Sequence, residues 1–274
     1  MDKIEFFKMS GSGNDFIIID NRRSTVDEDR LKNLIVGACR RKMSVGADGF
    51  ILIEDSDTVD FKWRFYNSDG SRPEMCGNGA RCAARFAFLN NIAAKTLAFE
   101  TDAGVVAAEI IGERVKVQMP EPSRIKADFT IDLIDGPGTL SSVSTGVPHV
   151  IIETANLDDV DVFNRGREIR YHKSFAPDGT NVNFAAVLEE NRIAIRTYER
   201  GVEDETLACG TGSIAAALVL AAKNGWQSPV NVRTRSGIML TIHFTQSDSG
   251  FRDVYLEGDA RVIYRGELWE EAYK

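Results

Sequence analysis

The chain has 274 residues, of which 43% are apolar and 27% charged, and its net charge is −8 at neutral pH. This length suffices for two domains with separate cores, and the composition is that of a globular protein. With an acidic balance and no run of Lys or Arg, the chain is not expected to bind nucleic acid. It has no stretch near the roughly 20 apolar residues that a membrane span needs, and residues 1–5 lack the pattern of a signal peptide. We therefore expect a cytoplasmic protein.

Short runs rich in Ile, Val and Phe, bounded by Gly, Asp and Asn, predict β-strands along the whole chain. In the first half they cover 4–8, 16–20, 50–54, 60–66, 105–110 and 115–119. In the second half they cover 150–153, 192–199, 230–234, 238–244 and 253–257. Charge-rich amphipathic helices are predicted at 27–41 and 158–172.

Two further segments, 80–89 and 213–222, are apolar around their whole circumference, which is typical of helices inside a protein. We therefore predict an α+β fold of two pseudo-symmetric domains, each a curved, mostly antiparallel β-sheet wrapped around a central buried helix. Asn90-Asn91 and Asn224-Gly225 are suitable ends for these helices, because Asn and Gly tolerate the left-handed conformation.

The domain boundary is predicted at a proline-rich linker. Pro120-Glu121-Pro122-Ser123 divides the chain into domains of residues 1–120 and 121–261. The tail, 262–274, is predicted to return to the first domain, with a strand at 261–264.

The most informative feature is an internal repeat that contains two cysteines. Cys76-Gly77-Asn78-Gly79 recurs 133 residues later as Cys209-Gly210-Thr211-Gly212, and the same offset carries Thr101 onto Thr234. A duplicated chain tends to fold as two like units that face each other across a pseudo-twofold axis. The two thiols are therefore expected to approach one site from opposite sides.

Each of these cysteines begins a predicted buried helix, where N–H groups are unpaired and the helix dipole is positive. That position lowers the pKa of a thiol from about 8.5, so that thiolate forms near neutral pH. The N–H groups of Gly77, Asn78, Gly210 and Thr211 can hold an anion such as a carboxylate. The pattern predicts that one thiolate removes the Cα proton of an amino acid while the opposite thiol supplies another, with a bell-shaped pH profile.

Other kinds of site fit the sequence less well. Neither glycine-rich segment matches a dinucleotide or P-loop pattern. Cys39 and Cys82 have no counterparts at the offset and are predicted to be core residues. His149, His172 and His243 are scattered and no Cys pair has zinc spacing, so no metal site is expected.

No cofactor is expected either, because two thiols and helix amides supply the elements of proton exchange. A thiol redox switch, in which the two motif cysteines form a regulatory disulfide, remains an alternative from a different functional class.

Along nearly its whole length the sequence resembles the diaminopimelate epimerase family of cofactor-independent amino-acid racemases. The resemblance is strongest at GSGNDF (11–16), FYNSDGSRPEMCGNGAR (65–81), GTNVNF (179–184) and YERGVEDETLACGTG (198–212). It implies interconversion of LL- and meso-diaminopimelate in lysine and peptidoglycan synthesis. It also implies two domains, each a β-sheet curved around a central helix, and a homodimer.

The resemblance also implies roles for individual residues. Cys76 and Cys209 match the two acid/base thiols, and His149 and Glu199 match polar residues that assist catalysis. Contacts to the small amino-acid substrate are implied for Asn14, Asn67, Gly77, Asn78, Asn183, Glu199, Arg200, Gly210 and Thr211.

Two positions depart from the family pattern. Gly49 and Val147 stand where the family often has Gln and Asn, so two amide contacts are absent. Asn181 is a candidate replacement for one of them. These departures leave a racemase of another amino acid, such as histidine or proline, as a second interpretation within the same reaction class.

Overall fold

The structure is a computed structural model that describes residues 3–247 and 250–274. Met1 and Asp2, on which the signal-peptide argument partly depends, lie outside the described residues. The chain forms two compact units, one of Met1–Val117 with Gly258–Lys274 and the other of Gln118–Glu257. The domains at 1–120 and 121–261 stay a prediction, because compactness does not show which segments fold on their own. Within the described ranges, every helix is too short or too polar to cross a membrane.

The first unit contains two α-helices and one mixed sheet. Its helices are α1 (Leu31–Ala38) and α2 (Gly77–Leu89). Its strands are β1 (Ile4–Gly11), β2 (Asn14–Asp20), β3 (Gly49–Glu54), β4 (Phe61–Asn67), β5 (Thr96–Thr101), β6 (Gly104–Ile111), β7 (Arg114–Gln118) and β17 (Arg261–Leu268). Short 3₁₀ turns lie at Glu28–Arg30 and Glu270–Ala272.

The second unit also contains two α-helices and a mixed sheet. Its helices are α3 (Val162–Arg170) and α4 (Gly210–Asn224), with a 3₁₀ turn at Lys173–Phe175. Its strands are β8 (Ser123–Leu133), β9 (Gly136–Ser144), β10 (Pro148–Glu153), β11 (Asn181–Glu189), β12 (Arg192–Glu199), β13 (Asp204–Thr206), β14 (Val230–Arg233), β15 (Met239–Ser247) and β16 (Gly250–Asp259).

The two units share one strand order, which confirms the predicted pseudo-symmetric fold. In the first unit the order is β17-β1-β2-β3-β4-β5-β6-β7, with parallel pairing at β2–β3 and β4–β5. In the second it is β8-β9-β10-β11-β12-β14-β15-β16, with parallel pairing at β10–β11 and β12–β14. The remaining pairs in both series are antiparallel. Parallel steps at matching places are what a duplicated sequence predicts. The strand predicted at 261–264 also forms, and it extends to Leu268.

Each sheet curves around one apolar helix, as predicted. In the first unit α2 contacts β1, β2, β3 and β6, and in the second α4 contacts β9, β10, β11, β12, β14 and β15. Residues 214–221 of α4 are buried without exception, and their many alanines let the strands approach closely. The helix ends are also as predicted, since Asn91 and Gly225 have left-handed φ values of 56° and 69°.

A second helix covers the other face of each sheet. Leu34 and Ile35 of α1 share a core with Ile17 and Ile19 of β2. Val162 and Ile169, at the two ends of α3, contribute to an equivalent core against β10, β11 and β12. Because strand side chains alternate between faces, the middle strands are buried on both. The α-helices are shorter than the predicted 27–41 and 158–172. In α3 the reason is the Asp161 side chain, which caps the helix at its beginning.

Candidate active site

Cys76 and Cys209 occupy the N-cap positions of the two central helices. Each sulfur accepts the N–H of the third helical residue, with Gly79 N at 3.5 Å and Gly212 N at 3.4 Å. The Cys209 sulfur also lies 3.5 Å from the Thr211 hydroxyl. An N-cap side chain satisfies one of the unpaired amides of a helix. In each unit a cysteine sulfur therefore lies at the positive end of a buried helix dipole.

Three of the four motif glycines lie where an added side chain would be crowded. A Cβ atom on Gly212 would lie 2.3 Å from Asn183 Oδ1, and one on Gly210 would lie 3.0 Å from Leu256. A Cβ on Gly79 would lie 3.3 Å from the Trp63 ring, which is a milder conflict. The C-G-x-G pattern thus lets each central helix begin against its own sheet.

The first two residues of each central helix have no acceptor for their N–H groups within the helix. These residues are Gly77 and Asn78 in α2 and Gly210 and Thr211 in α4. Such amides are suited to hold an anion beside the cysteine sulfur.

In the first unit a chain of hydrogen bonds joins two of the predicted contact residues. The fully buried Arg81 donates to Asn78 Oδ1 at 2.9 Å and to Ser12 Oγ at 2.8 Å. Asn78 Nδ2 then donates to Asn14 Oδ1 at 2.7 Å, and Asn14 Nδ2 to Asp48 Oδ2 at 3.1 Å. Because a guanidinium can only donate, the orientation of both amides is determined.

The series of hydrogen bonds from Arg81 ends at Asp48, which belongs to a cluster of charged residues. Arg41 bridges Asp15 at 2.6 Å and Asp48 at 2.8 Å, and Lys8 lies 2.8 Å from Asp15. Burial by itself would raise the pKa of Asp15, but hydrogen bonds from Arg41 and Lys8 outweigh it and hold the pKa at about 2. Asp15 is therefore ionised at physiological pH.

In the second unit His149 lies in a buried network with Asn183. Asn183 Nδ2 is 3.1 Å from His149 Nδ1 and donates to the Val150 carbonyl at 3.0 Å. The Thr197 hydroxyl donates to Asn183 Oδ1 at 2.9 Å. Burial, with a smaller effect from the charge of Arg200, lowers the pKa of His149 to about 3. The imidazole is therefore neutral at physiological pH.

Glu199 and Arg200 follow each other at the end of β12. The Thr206 hydroxyl donates to Glu199 Oε2 at 2.8 Å. Burial raises the pKa of Glu199, and this hydrogen bond opposes the shift. The Arg200 amide donates to Asn181 Oδ1 at 2.9 Å, and Asn181 Nδ2 donates to the Pro148 carbonyl at 3.0 Å. Asn181 thus ties the backbone at Arg200 to the strand that carries His149.

The structure places the predicted residues in two sets, one in each unit. The first set is Asn14, Asn67, Cys76, Gly77 and Asn78, and the second is His149, Asn183, Glu199, Arg200, Cys209, Gly210 and Thr211. Hydrogen bonds join Asn14 to Asn78 and Asn183 to His149, whereas the Asn67 side chain donates to Ser71. Within residues 3–247 and 250–274, no three His, Cys, Asp or Glu side chains are grouped as metal ligands. The roles of the predicted residues stay a prediction.

Sequence reasoning missed Arg81 and Thr197. A signal for Arg81 exists, because it follows Asn78 by three residues on a predicted helix, and residues so spaced are neighbours on a helix surface. Thr197 has no comparable signal, because its contact with Asn183 depends on the pairing of β11 with β12.

Comparison with known proteins finds sequence similarity along nearly the whole chain. The sequence profile of the diaminopimelate epimerase family matches residues 6–125 and 141–263. Similar proteins include the diaminopimelate epimerase of Aquifex aeolicus, 45% identical over 98% of this chain and 99% of the relative. Another is that of Chlorobaculum tepidum, 44% identical over 95% of this chain and 99% of the relative.

Solved structures resemble the fold at low sequence identity. A PhzF-family phenazine biosynthesis protein from Bacillus anthracis has a TM-score of 0.76 at 17% identity and covers 98% of this chain and 100% of its own. A probable proline racemase from Agrobacterium radiobacter has a TM-score of 0.68 at 14% identity and covers 97% of this chain and 93% of its own. At such identities the likeness shows a common fold only.

Proposed function

This chain belongs to the diaminopimelate epimerase family, and we propose that it interconverts LL- and meso-diaminopimelate. The observation that carries the proposal is the paired placement of Cys76 and Cys209, each at the N-cap of a buried central helix. The family match supports the substrate, and the duplicated thiols support the chemistry.

In the proposed reaction the two sulfurs act on opposite faces of one Cα. The thiolate of one cysteine takes the Cα proton, and the electrons of the broken C–H bond delocalise onto the α-carboxylate. The S–H of the other cysteine gives its proton to the opposite face, which inverts the centre. The two sulfurs thereby exchange protonation states, so the pair titrates as a unit and the pH–rate profile is bell-shaped.

The helix amides stabilise the charge that develops on the carboxylate. The N–H groups of Gly77, Asn78, Gly210 and Thr211 are fixed by their helices before the substrate arrives, so they need no reorganisation during the reaction. His149, which is neutral, and Glu199 assist the thiols.

The distal end of diaminopimelate carries an ammonium and a carboxylate. Arg200 supplies a charge and a planar donor pair for the carboxylate. Asn14, Asn67 and Asn78 offer amides that both donate and accept. These groups distinguish the substrate from amino acids with one charged end, such as proline.

The direct test is epimerisation of LL-diaminopimelate by reduced, dialysed protein in deuterated water. Deuterium is expected at Cα of the meso product before it enters the remaining LL substrate. The product face is protonated by the opposite thiol, which carries solvent deuterium, whereas the thiol that took the first proton carries the substrate's own hydrogen. Cys76→Ala and Cys209→Ala should each abolish epimerisation, whereas Cys39→Ala, a buried cysteine of the first unit's core, serves as matched control. Full activity in either motif variant would exclude the two-thiol mechanism, and preferential turnover of proline or histidine would exclude the substrate.

We further propose that the enzyme works without pyridoxal phosphate and acts as a homodimer in the cytoplasm. The two thiols and the helix amides support the first point, and the family resemblance supports the second. Activity that persists after treatment with a carbonyl reagent such as hydroxylamine would agree with the first. Light scattering of the purified protein measures the oligomeric state.

A further inference from the structure

We propose that Asn183 is a positioning residue that holds His149 in the tautomer with its proton on Nε2, and that Asn183 does not donate to the substrate. All the contacts that carry this inference lie within the second unit. Its consequence for catalysis, but not its geometry, rests on the proposed epimerase function.

The orientation of the Asn183 amide follows from its partners. The Val150 carbonyl can only accept, so the amide atom 3.0 Å from it is the nitrogen. The opposite orientation would set two oxygens against each other. In the orientation that the Val150 carbonyl requires, Asn183 Oδ1 accepts from the Thr197 hydroxyl at 2.9 Å. Asn183 therefore donates one amide proton to the Val150 carbonyl and the other to His149 Nδ1.

Asn183 consequently has no N–H group left for a ligand. Its side chain is fully buried, and its oxygen accepts from Thr197 on one side. On another side that oxygen packs against Gly212, where even a methyl group would come within 2.3 Å. Gly212 in turn donates its N–H to the Cys209 sulfur at 3.4 Å. The amide thus fills the space between His149 and the beginning of α4.

The tautomer of His149 follows directly from this hydrogen bond. A ring nitrogen that accepts a proton from Asn183 cannot carry one, so in the neutral imidazole the proton is on Nε2. The low pKa of His149, about 3, keeps the ring neutral. Nε2 is buried and, among the residues that the structure describes, has no hydrogen-bond partner. Buried polar atoms in native proteins are nearly always paired, so this donor is set for a ligand.

An N–H at this position matters for the proposed reaction. A donor stabilises a carboxylate on which negative charge develops, whereas the other tautomer would present a lone pair and repel it. Asn183 thus determines whether Nε2 of His149 presents an N–H donor or a lone pair.

The decisive measurement is ¹⁵N NMR of the full chain labelled at histidine, which has three residues of this type. His172→Gln and His243→Gln assign the signals by difference. The wild-type His149 signal should show an unprotonated Nδ1 and a protonated Nε2, and the reverse pattern would overturn the proposal. Because the spectrum needs no substrate, it can be read whether or not the protein epimerises diaminopimelate.

Two variants separate positioning from substrate contact. Asn183→Asp replaces the donor to Nδ1 by an acceptor, so the proton should move to Nδ1 and kcat should fall about 10²-fold, with KM within about twofold. Thr197→Val leaves both amide donors in place, so the tautomer should persist with a smaller loss of kcat. A raised KM with an unchanged kcat and tautomer in Asn183→Asp would assign Asn183 to the substrate instead. If Asn183→Asp does not fold, the wild-type spectrum decides.

Discussion

The buried guanidinium of Arg81 donates to the side-chain oxygen of Asn78 at 2.9 Å, and through this bond it orients two amides. Since Arg81 cannot accept, Asn78 must turn its NH₂ group toward Asn14. Arg81 also donates to Ser12 Oγ at 2.8 Å and to the carbonyl of Asp259 at 3.2 Å, and these bonds fix its own position. A residue outside the proposed contact set therefore orients two members of that set.

Arg81→Lys should raise KM for diaminopimelate about tenfold and lower the free energy of unfolding by about 2 kcal/mol. An ammonium is a point donor that cannot serve the same spread of acceptors as the planar guanidinium, so the amides of Asn78 and Asn14 lose their fixed orientation. Steady-state kinetics and urea denaturation measure the two effects. Arg85→Lys is the matched control, because Arg85 lies one turn further along α2 and donates to the Ala260 carbonyl. An unchanged KM in Arg81→Lys would show that the amides hold their orientation without it.

Much of the fold could be predicted because its middle strands are apolar. The prediction at 192–199 coincides with β12, in which the buried Ile193, Ala194 and Ile195 lie between two arginines. β8 escaped prediction because its first six residues are exposed and mostly polar. β11 escaped because Asn181 and Asn183, which usually indicate loops, are buried in it. The low propensity of Asn for β-strands does not take account of hydrogen bonds inside the protein. The side-chain amides of both residues form such bonds here.

The two motif cysteines were identifiable because the repeat marks them twice. The functions proposed for Arg81 and Asn183 were not, since they depend on which atom of an amide faces which partner. That direction is set by distances between strands and helices far apart in sequence, such as the 3.0 Å from Asn183 Nδ2 to the Val150 carbonyl. A motif gives the residue type but not its hydrogen-bond direction.

Gly212→Ala should reduce kcat about 10²-fold, because displacement of a site group by about 1 Å costs that much. Its methyl group would lie 2.3 Å from Asn183 Oδ1 and 3.2 Å from the Cys209 sulfur, so one of them must move. Gly225→Ala is the control on the same helix, since it has a φ of 69° but nothing within 4 Å of the added atom. It should cost about 1–2 kcal/mol of stability and leave kcat unchanged. Equal kcat values for the two variants would contradict the packing argument.

Asp15→Asn should lower the free energy of unfolding by about 2 kcal/mol at pH 7. The folded pKa of Asp15, about 2, lies below its value of about 3.9 in an unfolded chain. Such a group stabilises the protein above pH ~4 and loses this contribution as the pH falls toward 2. Urea denaturation at a series of pH values should therefore show that the difference in free energy of unfolding between variant and wild type decreases below pH ~4. Asp20→Asn is the control. Asp20 forms an ion pair with Arg22 at the surface, and such a pair contributes at most about 1 kcal/mol to stability. A difference in free energy of unfolding that stays constant with pH would contradict the link between stability and the pKa of Asp15.

Glu199→Gln should make the protein more stable at pH 8 while lowering its activity. Burial raises the pKa of Glu199 above its unfolded value, so between the two pKa values the folded state binds more protons than the unfolded state. Stability therefore falls as the pH rises through this window, and the full penalty for ionisation remains above the folded pKa. Gln has the same shape, still accepts from the Thr206 hydroxyl and carries no charge.

Thermal denaturation at two pH values tests this sign. The Tm of Glu199→Gln should exceed that of wild type at pH 8, and the two should converge at pH ~4, where the folded carboxyl group is protonated. Thr206→Val should act in the opposite direction, because it removes the hydrogen bond that lowers the pKa of Glu199 and so increases the penalty at pH 8. A Glu199→Gln variant that is less stable than wild type at pH 8 would mean that the carboxylate stabilises the folded protein. In that case its place at the site would need no functional explanation.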